Sequence, residues 1–170
     1  MSRNWVLNMA GCKLSEEQMC DIPHPTAELV VHVTYKTVQT FSILGLGVIG
    51  PLVARYKGVK DWDGISASSM EYGRKGALAG LVAGPLFVGA RFLDPNMNRA
   101  GAYDRSYQIR CNRNQVRVDR LSTIGGITGA GAMYFTGGNT VNGLILGLSA
   151  GCILGGVYNT VCGKKHELDQ

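Results

Sequence analysis

The stretch VNGLILGLSAGCILGGVYNTV, residues 141–161, places Gly143, Gly147, Gly151 and Gly155 at four-residue intervals in a run without charge. In a helix that interval aligns them on one face, where a row of missing side chains lets a second backbone come close. A glycine in a helix interior costs up to about 1 kcal/mol relative to alanine, so a repeated glycine face needs a packing reason to offset it. Gly76, Gly80 and Gly84 repeat the interval, Gly125 and Gly129 repeat it again, and Gly45, Gly47 and Gly50 crowd a further apolar segment. The ten helix-packing candidates are Gly45, Gly76, Gly80, Gly84, Gly125, Gly129, Gly143, Gly147, Gly151 and Gly155.

Overall composition leaves the class open, since 45% hydrophobic residues and a mean hydropathy of +0.05 suit many soluble domains of 170 residues. The distribution of charge is sharper. No Asp, Glu, Lys or Arg occurs in residues 37–54, 76–90 or 121–163. A bilayer-spanning helix needs about 20 residues. Residues 37–54, TVQTFSILGLGVIGPLVA, meet that length, and Pro51 is expected to bend or end the last turn. A second helix over residues 72–92 requires Arg74 or Lys75 and Arg91 to snorkel from its ends. The final apolar run divides at the turn formers of residues 136–143, TGGNTVNG, into helices over residues 121–135 and 141–161. The expected fold is an all-α membrane protein with four short glycine-rich transmembrane helices in a compact bundle. Its organisation is an amino-terminal arm over residues 1–34, a membrane domain over 35–162 with a basic central loop at 94–120, and a polar tail at 163–170.

The formal charge of +5 arises largely in the central loop, where arginines outnumber acids. Nucleic-acid binding would explain these arginines but not four apolar segments. Arg110, Arg113, Arg117, Asp119 and Arg120 are therefore read as contacts to a protein partner or to cardiolipin and other anionic phospholipid headgroups. By the positive-inside rule, the ends and the central loop face the more negative side. The amino terminus lacks a secretory apolar core, and Glu16, Glu17, Asp21 and Glu28 distinguish it from a basic cleavable transit peptide. The His-Glu-Leu in the tail is not a retrieval signal, because the terminal four residues are Glu167, Leu168, Asp169 and Gln170.

Little in the sequence points to chemistry. Cys152 and Cys162 would lie about 15 Å apart along one helix, beyond disulfide reach. Cys12 and Cys20 could bridge if the arm folds back, and Cys111 leaves an odd number. His24, His32 and His166 form no metal-ligand spacing with the cysteines. No catalytic set and no phosphate loop ending in Gly-Lys-Ser or Gly-Lys-Thr is present. Glu71 and Lys75 have the spacing of an interfacial helix pair. The expectation is a non-enzymatic protein without cofactor or metal.

The glycine-faced segments and RVDRLSTIGGITGAG, residues 117–131, resemble the Tim17/Tim22/Tim23 family of mitochondrial inner-membrane proteins over about residues 35–162. Arg113 or Arg117, Asp119, Gly125 and Gly129 are the nearest equivalents of the family's Arg, Asp and glycine element, although the Arg-to-Asp interval departs from the usual one. DIPHPTAELVVHVTYKT, residues 21–37, is similar to the arm preceding the first helix in the divergent branch that serves as an accessory membrane subunit of respiratory complex I. The resemblance implies a multi-pass protein of the mitochondrial inner membrane. It implies a non-catalytic role, stabilising the complex I membrane arm or supercomplex contacts through glycine-mediated packing against neighbouring respiratory subunits. The alternative it implies is a component of an inner-membrane protein translocase.

Overall fold

The structure, a computed structural model, describes residues 2–94 and 98–167, with side chains described through Cys162. Residues 95–97 of the expected basic loop, the end of the expected tail and the His166 side chain lie outside the described residues.

Seven helices follow one another among the described residues. They are α1 (Arg3–Ala10), α2 (Glu16–Cys20), α3 (Pro25–Tyr56), α4 (Trp62–Arg91), α5 (Arg99–Cys111), α6 (Arg113–Phe135) and α7 (Thr140–Glu167). Except at α3, which starts at Pro25 with no side-chain cap, their starts are set by side-chain oxygens that satisfy otherwise orphan backbone N–H groups. Ser2 accepts from Trp5 N, Ser15 and Gln18 form a reciprocal capping box, Asp61 accepts from Gly64 N, and Asn98 accepts from Gly101 N. Asn112 and Asn139 do the same for α6 and α7, at 3.0 and 3.1 Å. Gly11 ends α1 at φ +95°, and Gly137 turns the chain between α6 and α7 at φ +72°, backbone angles that glycine adopts without strain.

The helix α3 is continuous through Pro51, with a π turn at Gly45–Ile49 just before it. In an α-helix residues 45 and 50 would point about 500° apart, that is about 140° round the axis. The bond from Gly50 N to the Gly45 carbonyl closes the five-residue step into one wide turn and puts both glycines against α4. Gly50 faces Ser69, and Gly45 faces the Tyr72–Gly73 peptide. Further along, Gly76 lies on the Phe41 carbonyl, Gly80 on Thr37 and Val38, and Gly84 on Thr34. As numbers rise along α4 they fall along α3, so the pair is antiparallel.

The helices α6 and α7 form a second antiparallel pair. Gly125 and Gly147 lie backbone to backbone, as do Gly129 and Gly143, while Gly151 sits on Leu121 and Gly155 on Val118. The small helix α5 closes one end, where Leu29, Val88 and Ala102 form a buried apolar cluster with Val30, Val33, Phe92 and Ile109 around it.

This architecture corrects the expected membrane protein of four short transmembrane helices. Only α3 and residues Thr140–Cys162 of α7 are long and apolar enough to cross a membrane among the described residues. The physical reason lies in where the other two long helices begin. The helix α4 starts at Trp62 and incorporates Asp63, Glu71, Arg74 and Lys75, whereas α6 starts at Arg113 and incorporates Arg117, Asp119 and Arg120. Their uncharged parts, residues 76–90 and 121–135, each rise about 22 Å, short of a hydrocarbon layer about 30 Å thick. Arg74 does not reach outward from a helix end; it donates to Asn142 Oδ1 at 2.6 Å, joining α4 to α7. The interior also lacks apolar depth, since its largest fully buried side chains are Gln39, Ser42 and Ser122.

Candidate functional site

Two polar clusters and one cavity hold most of the candidate residues, and all three are organised around α6 and the end of α5. The first cluster is a clasp on Arg110. Its side chain is 1% exposed and that of its partner Glu28, in α3, 2%. Arg110 Nε donates to Glu28 Oε2 at 3.0 Å, and Nη2 donates to Oε1 at 2.7 Å, the two-pronged geometry that makes guanidinium–carboxylate pairs strong. Nη2 also donates to Ser2 Oγ at 2.6 Å, and Ser2 Oγ donates onward to Glu28 Oε1 at 2.7 Å. Nη1 donates to the carbonyls of Gln18, Met19 and Asp21 at 3.2, 3.2 and 3.1 Å, gathering carbonyls that the end of α2 leaves without helical partners. One side chain thus ties α1, α2, α3 and α5 together. Ser106 Oγ and Tyr103 OH add bonds from α5 to the carbonyls of Pro25 and Cys20 at 2.9 and 2.7 Å.

The second cluster joins the two helix pairs. Asp119, 3% exposed, projects from α6 toward α3. Lys36 Nζ pairs with its Oδ1, Gln39 Nε2 donates to the same oxygen at 3.3 Å, and His32 Nδ1 lies 3.6 Å from Oδ2. Tyr35 OH and Thr123 Oγ1 share a hydrogen at 2.8 Å, and Thr123 Oγ1 lies 2.8 Å from the Asp119 carbonyl. His32 is held below the usual histidine pKa, first by burial; the attraction of Asp119 opposes this and the repulsion of Lys36 adds to it. With Lys36 already neutralising Asp119, the imidazole is neutral near pH 7. Burial likewise pushes the Cys152 thiol up, away from the reactive thiolate.

The remaining arginines surround a cavity of 210 Å³ bounded by Asn8, Arg110, Arg113, Val116, Arg117 and Arg120. Arg120 Nε and Nη2 donate to the carbonyls of Met9 and Asn8 at 2.9 and 3.1 Å, at the end of α1. Arg117 Nη1 donates to Asn159 Oδ1 at 2.6 Å, and its guanidinium lies 4.9 Å from the centre of the Tyr158 ring, linking α6 to α7. Arg113 is exposed.

The structure therefore separates the five residues grouped in the sequence as partner or lipid contacts. Arg110 and Asp119 are buried and engaged in internal pairs, Arg117 and Arg120 are partly buried with one side turned to the cavity, and only Arg113 is exposed. The sequence reading missed Glu28, His32, Lys36 and Gln39 as members of these clusters. The signal is the spacing of His32, Lys36 and Gln39 on one face of α3, across the expected boundary between the arm and the first span. Every cysteine is free, Cys12 and Cys20 included, and among the described residues no group of His, Cys, Asp or Glu is arranged to hold a metal ion.

A family model described as "Protein of unknown function (DUF1757)" matches residues 5–158. No curated protein matches the chain. The family match and the seven-helix fold overturn the resemblance to the Tim17/Tim22/Tim23 family and with it the assignments as a complex I accessory subunit or translocase component. Respiratory-chain subunits and cardiolipin as partners, and the multi-pass mitochondrial inner-membrane location, fall with them. The deeply buried multi-span apolar architecture on which they depended is replaced by polar clusters and by two candidate spans. By a match that spans nearly its whole length, the chain belongs to the DUF1757 family of proteins of unknown function.

Proposed function

We propose that this chain is a non-enzymatic interaction protein that docks the outer face of α4 against an uncharged, apolar helix of a protein partner. The observation that carries this reading is the exposure of Leu78, Leu81, Val82, Leu86 and Phe87, at 64, 53, 64, 64 and 55%. Leu78, Leu81, Val82 and Leu86 recur at helical spacing away from Gly76, Gly80 and Gly84, which face α3, while Phe87 lies at the edge toward Leu29 and Val33. A contiguous apolar surface of this kind marks an interaction site. Its chemistry specifies the partner. Residues 76–90 carry no charge, while Glu71–Lys75 and Arg91–Asp94 pair with each other at the two ends. An apolar centre with a polar rim suits a protein interface. The pairing of Glu28 with Arg110, and of Asp119 with Lys36, suits structural joints better than turnover.

The test is site-specific photo-crosslinking in cells, with the probe placed at Leu86 or, as a control, at the exposed Glu16 of α2. The expected result is one defined protein adduct from Leu86 and none from Glu16, lost when Leu81→Glu is added without loss of helix content. Adducts to lipid alone, or the same products from both positions, would overturn the reading.

A further inference from the structure

We infer that the arginine-lined cavity beside α1 is a binding site for a small oxyanion of the phosphate class, a site distinct from the apolar face of α4. Arg113, Arg117 and Arg120 occupy positions i, i+4 and i+7 of α6, so one face carries three cations around one cavity. Among the described residues no carboxylate pairs with any of the three; their recorded partners are the neutral carbonyls of Asn8 and Met9, the amides of Asn114 and Asn159, and the Tyr158 ring. Arg110 contributes wall but not free charge, because Glu28 neutralises it. Like charges at i,i+4 destabilise a helix, and the absence of any acid in the first turn of α6 leaves the positive end of its dipole to add to the repulsion. An anion would relieve both.

Size and donor chemistry narrow the class. The cavity, at 210 Å³, is smaller than the roughly 300–1,000 Å³ of pockets for drug-sized ligands. Guanidinium groups match tetrahedral oxyanions with paired N–H donors, and Arg113 has its fork unengaged among the described contacts. Because Arg120 grips the end of α1 while Arg113 and Arg117 stand on α6, a bound anion would also secure α1 to the helix it packs on.

The test is thermal unfolding and titration calorimetry of the full chain with inorganic phosphate, against chloride at matched ionic strength. The expected result is a saturable rise in Tm with phosphate only, since a ligand that binds the native state alone stabilises it by mass action. Arg113→Gln should weaken phosphate binding at least tenfold, Arg113→Lys should weaken it less, and Arg99→Gln, in the exposed start of α5, should leave it unchanged. Equal effects of chloride and phosphate, undiminished binding by Arg113→Gln, or association with phosphate-headgroup vesicles without binding of free phosphate would each overturn the assignment.

Discussion

Between α6 and α7 two of the close approaches are glycine to glycine, at Gly125 with Gly147 and at Gly129 with Gly143, on two regular helices. Between α3 and α4 each glycine instead meets a residue that carries a side chain, and the register holds only because a π turn at Gly45–Ile49 resets one helix. Hydroxyl groups supplement both seams. Ser122 Oγ donates to the Leu148 carbonyl at 2.8 Å in one, and Thr37 Oγ1 and Ser68 Oγ donate to the carbonyls of Gly80 and Gly50 at 2.7 and 2.9 Å in the other. The first seam joins two uninterrupted α-helices; the second contains a wide turn that departs from regular α winding. A wide turn inside a helix is a place to absorb an inserted atom, and a straight glycine face is not.

The largest effect should come from attacking the α6/α7 seam. Gly147→Leu would drive a side chain into the Gly125 peptide and should cost more than about 5 kcal/mol, enough to abolish cooperative unfolding of the α6/α7 pair. Gly45→Leu meets the Tyr72–Gly73 peptide, but the π turn can relax, so its cost should stay near the overpacking range of about 1–3 kcal/mol. Urea unfolding at matched concentration compares the two, and equal losses would remove the distinction between the seams.

Next in size is the clasp that ties the small helices to α3. Arg110→Met leaves the Glu28 carboxylate buried without its cation and should cost about 3–5 kcal/mol. Replacing both members, Glu28→Leu with Arg110→Met, should recover much of that loss, because an apolar pair carries no uncompensated charge. A double-mutant cycle by denaturant unfolding measures the difference; additive losses would show that the two side chains act separately.

These comparisons also separate what could be read along the chain from what could not. The four-residue glycine interval is local, since i and i+4 share a face whatever the fold, and it could be seen directly in residues 141–161. Which backbone each face meets is not local: Gly151 lies on Leu121 and Gly84 on Thr34. Runs without charge misplaced the helix starts, because α6 continues backward through Asp119, Arg117 and Arg113 once Asn112 caps it. A charged residue is a poor boundary marker when its partner lies across the fold. Lys36 and Asp119 look like solvent-facing charges in the sequence; in the structure a half-buried Lys36 pairs with a buried Asp119. Likewise Glu28 counts in the sequence only as an acid that a transit peptide would lack, whereas its carboxylate holds Arg110. The π turn left only the crowding of Gly45, Gly47 and Gly50 as a sign, and the bend assigned to Pro51 is instead a change of winding just before it.

The junction between the pairs makes a smaller, pH-dependent prediction. His32, facing Asp119 from α6 and Lys36 from its own helix, has its pKa lowered from the ordinary value of about 6.5, chiefly by burial. In the window between the lowered folded value and about 6.5 the unfolded chain binds the additional proton, so stability rises with pH there. This contribution is fully present above about 6.5 and is lost as pH falls toward the folded value. Tm should therefore drop between pH 7.5 and 5.5, and His32→Gln should flatten that part of the profile. An unchanged slope in His32→Gln would assign the pH dependence to another group.

The smallest expected effect sharpens the contrast between a glycine that packs and one that does not, using neighbours in one helix. Gly155 faces Val118, where a Cβ would come within 2.9 Å of the Val118 Cα, whereas a Cβ on Gly156 would meet nothing within 4 Å. Both lie inside α7 with ordinary helical backbone, so neither needs glycine for its conformation. At Gly156, alanine removes the entropy cost of a helical glycine without a steric penalty and should stabilise the chain by about 0.5–1 kcal/mol. At Gly155, the same gain is opposed by a contact with backbone that cannot swing aside, and the net change should be a loss. Parallel urea curves of Gly155→Ala and Gly156→Ala read the sign directly. Stabilisation by both would mean that α7 can withdraw from α6 at that end, confining the seam to Gly125, Gly129, Gly143 and Gly147.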